Sequence, residues 1–281
     1  MLLTTLLILL LAVMLLSGIA RYSLSIATEA SDAQAELQRR WGAVSLRAVV
    51  LSRPRETLAD YLRSHRKPGE DSRQLYPLVG TVRLGPLDFR LVLDDECRKL
   101  NLNRLYLSSN VDVVRQALLE LNQGESIVRL RPHRGMPGKS SVRPFESWGQ
   151  VFATEELADP STVADWLGQN TQSVTCWGGG SVNFTNCSDQ VFRLLARNAL
   201  DPVAADQLLD LRRRNPALDL DKLLALMNSH QSDKGKLKDW LTDRSDCFSL
   251  WIDVQSQERS WQELLVSEAS DGTPQVHRFV W

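Results

Sequence analysis

The residues from Leu2 to Ala20, LLTTLLILLLAVMLLSGIA, contain no charged side chain. All 33 Lys and Arg and all 34 Asp and Glu lie beyond them. As a helix the run is roughly 28 Å long at ~1.5 Å per residue, close to the hydrocarbon thickness of a bilayer, about 30 Å. A membrane-spanning helix is the reading that fits, with Leu2, Leu6, Leu10, Val13, Leu16 and Ile19 as anchor positions. A secretory signal peptide would need a basic region ahead of the run, although Ser17-Gly18-Ile19-Ala20 resembles a small-residue cleavage site. A buried core helix is at odds with the terminal position. Orientation is weakly marked: Arg21 alone stands near the run, and the positive-inside rule taken literally puts the body in the cytoplasm.

The helical pattern does not stop at Arg21. Ala30, Ala33, Leu37, Trp41, Val44, Ala48 and Leu51 recur at three- and four-residue intervals with no proline before Pro54. That spacing predicts a helix with one apolar packing stripe. Pro54 should kink or restart it, since Leu58 and Leu62 continue on similar spacing. The expected product is a rod of about 50 residues, roughly 75 Å long. Its first third suits lipid, and the rest packs against something on one face.

Beyond a polar segment with Pro68-Gly69, two strand-like runs follow, residues 75–84 and 87–93. Phe89, Leu91 and Leu93 alternate with Asp88, Arg90 and Val92, the mark of a half-buried strand. The middle of the chain reads as helical. Segments fall near 110–121, 154–157, 160–167, 189–198, 200–213, 219–227 and 236–241, with Ser108 or Ser109 as a cap for the first of them. A Pro/Gly/Arg-rich stretch, 129–145, interrupts it as a solvated loop. Strand patterns return at 248–254, 261–267 and 276–281. Strands flanking a helical middle predict an α+β fold, one sheet-containing unit with a helical region inserted into it.

No pattern marks a catalytic set. A formal charge of −1 excludes a basic nucleic-acid surface as a global property. Asp94, Asp95 and Glu96 are adjacent carboxylates, read as a solvated strand end or helix cap more readily than as a metal site. Asp243 and Asp246, with Asp233, Asp239 and Asp253, offer oxygen ligands for calcium, but no EF-hand loop is present. His65, His133, His230 and His277 show no metal-ligand spacing, and Gly178-Gly179-Gly180 lacks the phosphate-loop form and reads as a flexible turn. Cys176 and Cys187 can bridge if the body is extracytoplasmic, or stay reduced in the core; Cys97 and Cys247 are left without an assigned partner.

Four segments carry a resemblance. LDDECRKLNLNRL (93–105), RPFESWGQVFATEEL (143–157), GGSVNFTNCSDQVFRLL (179–195) and an AxxLLxLR element (205–212) occur in the order seen in the minor pseudopilin K family of type II secretion. The family-like positions are Asp95, Glu96, Asn101, Asn103, Asn183, Asn186 and Ser188. The resemblance implies a pilin-like αβ head with a large all-helical domain inserted before the final strands. On this chain it implies a membrane and stem helix at 1–63 and the first part of the head at 64–93. The inserted domain would span 94–247, in subregions near 94–145 and 146–247, and the last strands 248–281.

The resemblance further implies a single-pass inner-membrane protein with its body in the periplasm and no enzymatic activity. Its partners would be the other minor pseudopilins, the major pseudopilin and the inner-membrane secretion platform, with no nucleic acid. Calcium would be its one cofactor, bound in the helical region by ligands the resemblance does not name here. It also implies a short basic leader ending in Gly ahead of the apolar run, and an upstream start that encodes it. Two other readings stand beside it. One is a membrane-tethered DNA-binding protein, with Asn198–Pro202 in the place of a helix-hairpin-helix turn and Arg212, Arg213 and Arg214 on phosphate. The other is a generic membrane-anchored interaction protein.

Overall fold

A computed structural model describes residues 2–65, 75–121, 128–133, 143–156, 163–215, 218–227, 231–255, 260–270 and 273–280. The expected turn at Pro68-Gly69, most of the 129–145 loop, Leu157, Pro160, His230 and Trp281 lie outside the described residues.

Helix α1 runs unbroken over Leu2–Val50. Pro54 then opens α2, Pro54–His65, in the first-turn position where its missing N–H leaves no bond unmade. Strands β1 (Leu78–Leu84) and β2 (Leu87–Asp95) form a hairpin, turned at Gly85, whose φ of 61° suits a residue without Cβ. The chain then leaves the sheet and returns only with β7 (Cys247–Gln255), β8 (Ser260–Ser270) and β9 (Thr273–Val280). The five strands are antiparallel in the order β1-β2-β7-β8-β9, so β7 pairs with β2 across the whole excursion.

The excursion holds α3 (Leu102–Ser108), α4 (Val111–Leu121), α5 (Val163–Asn170), α6 (Asp189–Ala199), α7 (Pro202–Arg214), α8 (Leu220–Leu226) and α9 (Gln231–Trp240). Among its described residues the helices are joined by two short parallel ladders, β3 (Leu100–Asn101) with β4 (Val174–Thr175) and β5 (Val182–Asn183) with β6 (Leu241–Thr242), and by an antiparallel bridge between Val128 and Phe152. The cap of α4 is neither Ser108 nor Ser109. Asn110 accepts from the N–H groups of Asp112 and Val113 at 2.9 and 3.0 Å, one residue nearer the helix, where its carbonyl oxygen reaches two otherwise unmet donors.

Two apolar cores follow from strand alternation. Phe89, Leu91 and Leu93 of β2 and Leu250, Ile252 and Val254 of β7 cover one sheet face together with Ala43 and Leu46 of α1. Leu264 and Val266 face the other way and join the core of the insertion, which includes Leu105, Leu118, Phe152, Phe192 and Leu208.

Candidate functional site

Helix α1 approaches the sheet closely because Gly42 has no side chain. A Cβ there would sit 2.4 Å from Cζ of Phe89, and Phe89 is 0% exposed. Gly42, Ala43 and Leu46 are the buried positions of α1, and Val50 and Leu51 pack beside them. The expected packing stripe is therefore not the face that meets the sheet. Of its members only Leu51 joins this core; Ala30, Ala33, Leu37, Trp41, Val44 and Ala48 are exposed. At roughly 100° per residue the Gly42–Leu46 face lies on the opposite side of the helix from Leu37, Trp41 and Val44. A glycine decided the contact: Gly42 lets the helix backbone approach Phe89, and a count of apolar side chains passes over glycine.

The anchor positions Leu2, Leu6, Leu10, Val13, Leu16 and Ile19 are all exposed. The most apolar window of α1 has a mean hydropathy of 2.7, and none of it is buried by the rest of the chain. It is long and apolar enough to cross a bilayer.

Of the family-like residues, Asp95, Glu96, Asn183 and Asn186 gather where the insertion leaves the sheet. Asp94 and Asp95 end β2, and a 3-10 turn, Glu96–Arg98, follows. These side chains are not solvated, contrary to the reading of a solvated strand end: Asp94, Asp95, Glu96, Arg98 and Lys99 are all buried. Asp94 takes Arg98 in a two-pronged pair at 2.6 and 3.0 Å and Lys99 at 2.9 Å. Lys99 also reaches Glu96 at 2.7 Å. Burial pushes the Asp94 carboxyl up, but the two cations outweigh it and hold it below the usual carboxylate range.

Asp95 faces no such cation. It accepts from Cys97 N–H at 2.9 Å, from the Ser245 hydroxyl at 2.6 Å and from the Asn186 amide at 3.0 Å. Burial dominates these bonds and lifts its pKa to about 6. Ser245 accepts in turn from Asn183 at 2.8 Å, and Arg55 of α2 donates to the Ser245 carbonyl. Asn183 accepts from Thr185 N–H at 3.0 Å. A single buried knot thus joins the end of β2, the segment between β6 and β7, the β5 loop and the stem.

The remaining asparagines act as backbone substitutes. Asn103 donates to the carbonyls of Phe145 and Cys176 at 2.8 and 2.7 Å and accepts from Phe145 N–H at 2.7 Å. Asn101 caps α3 through Arg104 N–H at 2.9 Å and donates to the Trp177 carbonyl at 2.7 Å. Ser188 caps α6 through Val191 N–H at 3.2 Å. Each meets polar backbone groups that no helix or strand satisfies.

Three features were not legible as such. Arg143 forks onto Glu268 of β8 at 2.7 and 2.5 Å, and Gly178 N–H donates to the same carboxylate at 2.7 Å. The glycine run is therefore a close-packed turn rather than a flexible one. Gly178 and Gly180 have φ of 84° and 89°, and a Cβ on Gly180 would meet the Arg104 side chain at 2.8 Å. Arg212 is 4% exposed. It donates to the Cys187 carbonyl at 2.6 Å, pairs with Asp189 at 3.2 Å and lies 4.6 Å over the Phe192 ring. It is unavailable to phosphate, which removes a contact the DNA-binding reading needed.

Cys176 and Cys187 are not bridged: all four cysteines are buried thiols. The Cys187 sulfur sits against the Phe184 carbonyl and Arg212, and Cys97 donates to Asp246 at 3.1 Å. Among the described residues no group of three or more His, Cys, Asp or Glu is placed to hold a metal ion. The five aspartates considered for calcium are dispersed. Asp233 and Asp239 lie on α9, where Asp233 pairs with Lys236, Asp243 and Asp246 fall between β6 and β7, and Asp253 is within β7. His65 stacks on Tyr61, and His277 lies 3.8 Å from Glu268. The arrangement is a rigid joint.

No family model matches the sequence, and no curated protein does. Among solved structures the chain is similar to a chain of the GspK-GspI-GspJ complex from the enterotoxigenic Escherichia coli type 2 secretion system. The TM-score is 0.50 at 17% identity, covering 89% of this chain and 99% of that one. The fold is pseudopilin-like.

Proposed function

We propose that the chain is the K-type minor pseudopilin of a type II secretion system, a non-enzymatic subunit at the tip of the pseudopilus. One observation carries this reading. A continuous helix presents a naked apolar segment of membrane length, then docks onto an antiparallel sheet, with no break between the two. Such a helix suits two environments in turn, lipid before assembly and the packed centre of a filament after it. The insertion between β2 and β7 supports the tip position. A head enlarged by seven helices among the described residues leaves little room for a further subunit stacked above it.

In this reading the partners are the other minor pseudopilins, the major pseudopilin and the inner-membrane platform, and the body lies in the periplasm. The buried knot at 94–99 keeps the insertion fixed to the head. Calcium is not built into the proposal. Affinity purification of the full chain from detergent-solubilised membranes tests the assignment. Co-purification of the other pseudopilins is the expected result, and their absence from a well-folded preparation would reject it.

A further inference from the structure

A cleft of about 310 Å³ opens between α5 and the face of the sheet that is turned away from α1. That volume stands at the lower end of the ~300–1,000 Å³ range of small-ligand sites. Strand alternation builds its floor. Val79, Val92 and Trp251 lie side by side across β1, β2 and β7, and Arg90, Asp253 and Gln262 form the next row. Asp165, Gly168 and Gln169 of α5 make the opposite wall.

The charges on these walls do not cancel. Asp94 and Lys99 also line the cleft, but they are spent on each other and on Arg98 and Glu96. Among the described lining residues that leaves Arg90 against two carboxylates, Asp165 and Asp253. Arg90 does not satisfy its cross-strand neighbour: Oδ1 of Asp253 is buried with no hydrogen-bond partner among the described residues. Burial pushes the Asp253 carboxyl up, the Asp165 charge pushes it further, and Arg90 only partly offsets them.

The wall at α5 is also left bare where a side chain would fit. Gly168 lies inside the helix, where glycine is a poorer helix former than alanine. A Cβ there would meet no heavy atom within 4 Å, so packing does not call for glycine. A larger side chain at 168 would stand in the cleft.

We propose that this cleft binds an organic cation, an alkylammonium or alkylguanidinium group, with its stem on Val79, Val92 and Trp251 and its charged head between Asp165 and Asp253. A metal ion is the poorer fit. Two carboxylates offer few of the oxygens a hard cation takes, and the apolar floor would stay uncovered. An aromatic wall beside carboxylates suits a cationic head on a hydrocarbon stem. The site stands independently of the secretion reading. A free amine and the Lys or Arg side chain of another polypeptide share this chemistry.

Butylguanidinium is the probe, and butylurea, its uncharged isostere, the control. Each is titrated into the detergent-solubilised full chain labelled with 5-fluorotryptophan, the Trp251 fluorine signal being assigned with Trp251→Phe. The expected result is a saturable shift of that signal with butylguanidinium and none with butylurea. Asp165→Asn with Asp253→Asn should weaken binding at least ~tenfold. Gly168→Leu should abolish it without lowering the thermal unfolding midpoint, since open space surrounds position 168.

A photoreactive phenylalanine analogue at Gln169, in the full chain in its native membrane, separates the two sources. An adduct with a peptide bearing Lys or Arg assigns the cation to a polypeptide, and saturable probe binding without a protein adduct assigns it to a free amine. An equal shift with butylurea, a response that does not saturate, or an affinity unchanged by the double substitution or by Gly168→Leu would overturn the site.

Discussion

Two joints hold this molecule together, and they are built from opposite materials. Where α1 meets the sheet, the contact is apolar and made by absence: Gly42 removes a Cβ so that the helix lies on Phe89. Where the insertion meets the sheet, the contact is polar and made by presence, with five charged side chains buried between Asp94 and Lys99. Apolar packing is tolerant of direction but not of volume. A buried charge network is the reverse, demanding every partner at a fixed angle. The first joint sets how far the head stands from its stem. The second sets how the insertion is oriented.

The contrast breaks most severely at Asp94. Asp94→Ala would leave Arg98 and Lys99 buried with one carboxylate, Glu96, within reach of Lys99 alone. The expected loss is about 3–5 kcal/mol in urea unfolding of the full chain. Asn103→Ala comes next, since it strips partners from two carbonyls and one N–H. About 2–4 kcal/mol should be lost by the same measurement. At the other joint, Gly42→Ala gains about 1 kcal/mol of helix propensity but drives a methyl into Phe89. A net cost of about 1–2 kcal/mol is expected, recovered by adding Phe89→Leu, which would relieve the clash.

The electrostatic joint also has a pH signature that the apolar one lacks. The Asp95 carboxyl titrates at about 6 in the folded chain and at about 3.9 when unfolded. Between those values the folded state holds the extra proton. Its contribution is therefore complete below about pH 4 and is lost as pH rises through about 6, a change of about 2–3 kcal/mol. Asp94 acts with the opposite sign: its depressed pKa adds stability at neutral pH that disappears on acidification below the normal carboxylate range. Asp95→Asn should flatten the pH 4–6 segment of a stability profile and leave the acid limb in place. The smallest effect belongs to Trp41→Ala, at an exposed site outside both joints, where unfolding should shift by less than about 0.5 kcal/mol.

The local parts of this architecture were readable from residue order. Phe89, Leu91 and Leu93 alternate as a strand must, and Val114, Ala117, Leu118 and Leu121 fall on one helix face and are buried. The apolar run stood out because no charge interrupts it. What escaped detection depends on partners far apart in the chain. Asp95 meets Ser245, and Arg143 meets Glu268 125 residues on; no spacing announces such pairs. The carboxylate run reads as solvated because nothing in the sequence shows that Arg98 and Lys99 fold back onto Asp94 inside the protein. The α1 stripe shows another limit. Periodicity identifies an apolar face, but not whether the chain's own sheet or another protein covers it.

The central claim is that this chain builds a secretion pseudopilus, and cargo export tests it most directly. A strain deleted for the protein should accumulate the type II substrates in its periplasm while extracellular levels fall to background, and the full chain should restore export. Unimpaired secretion in the deletion strain would contradict the account.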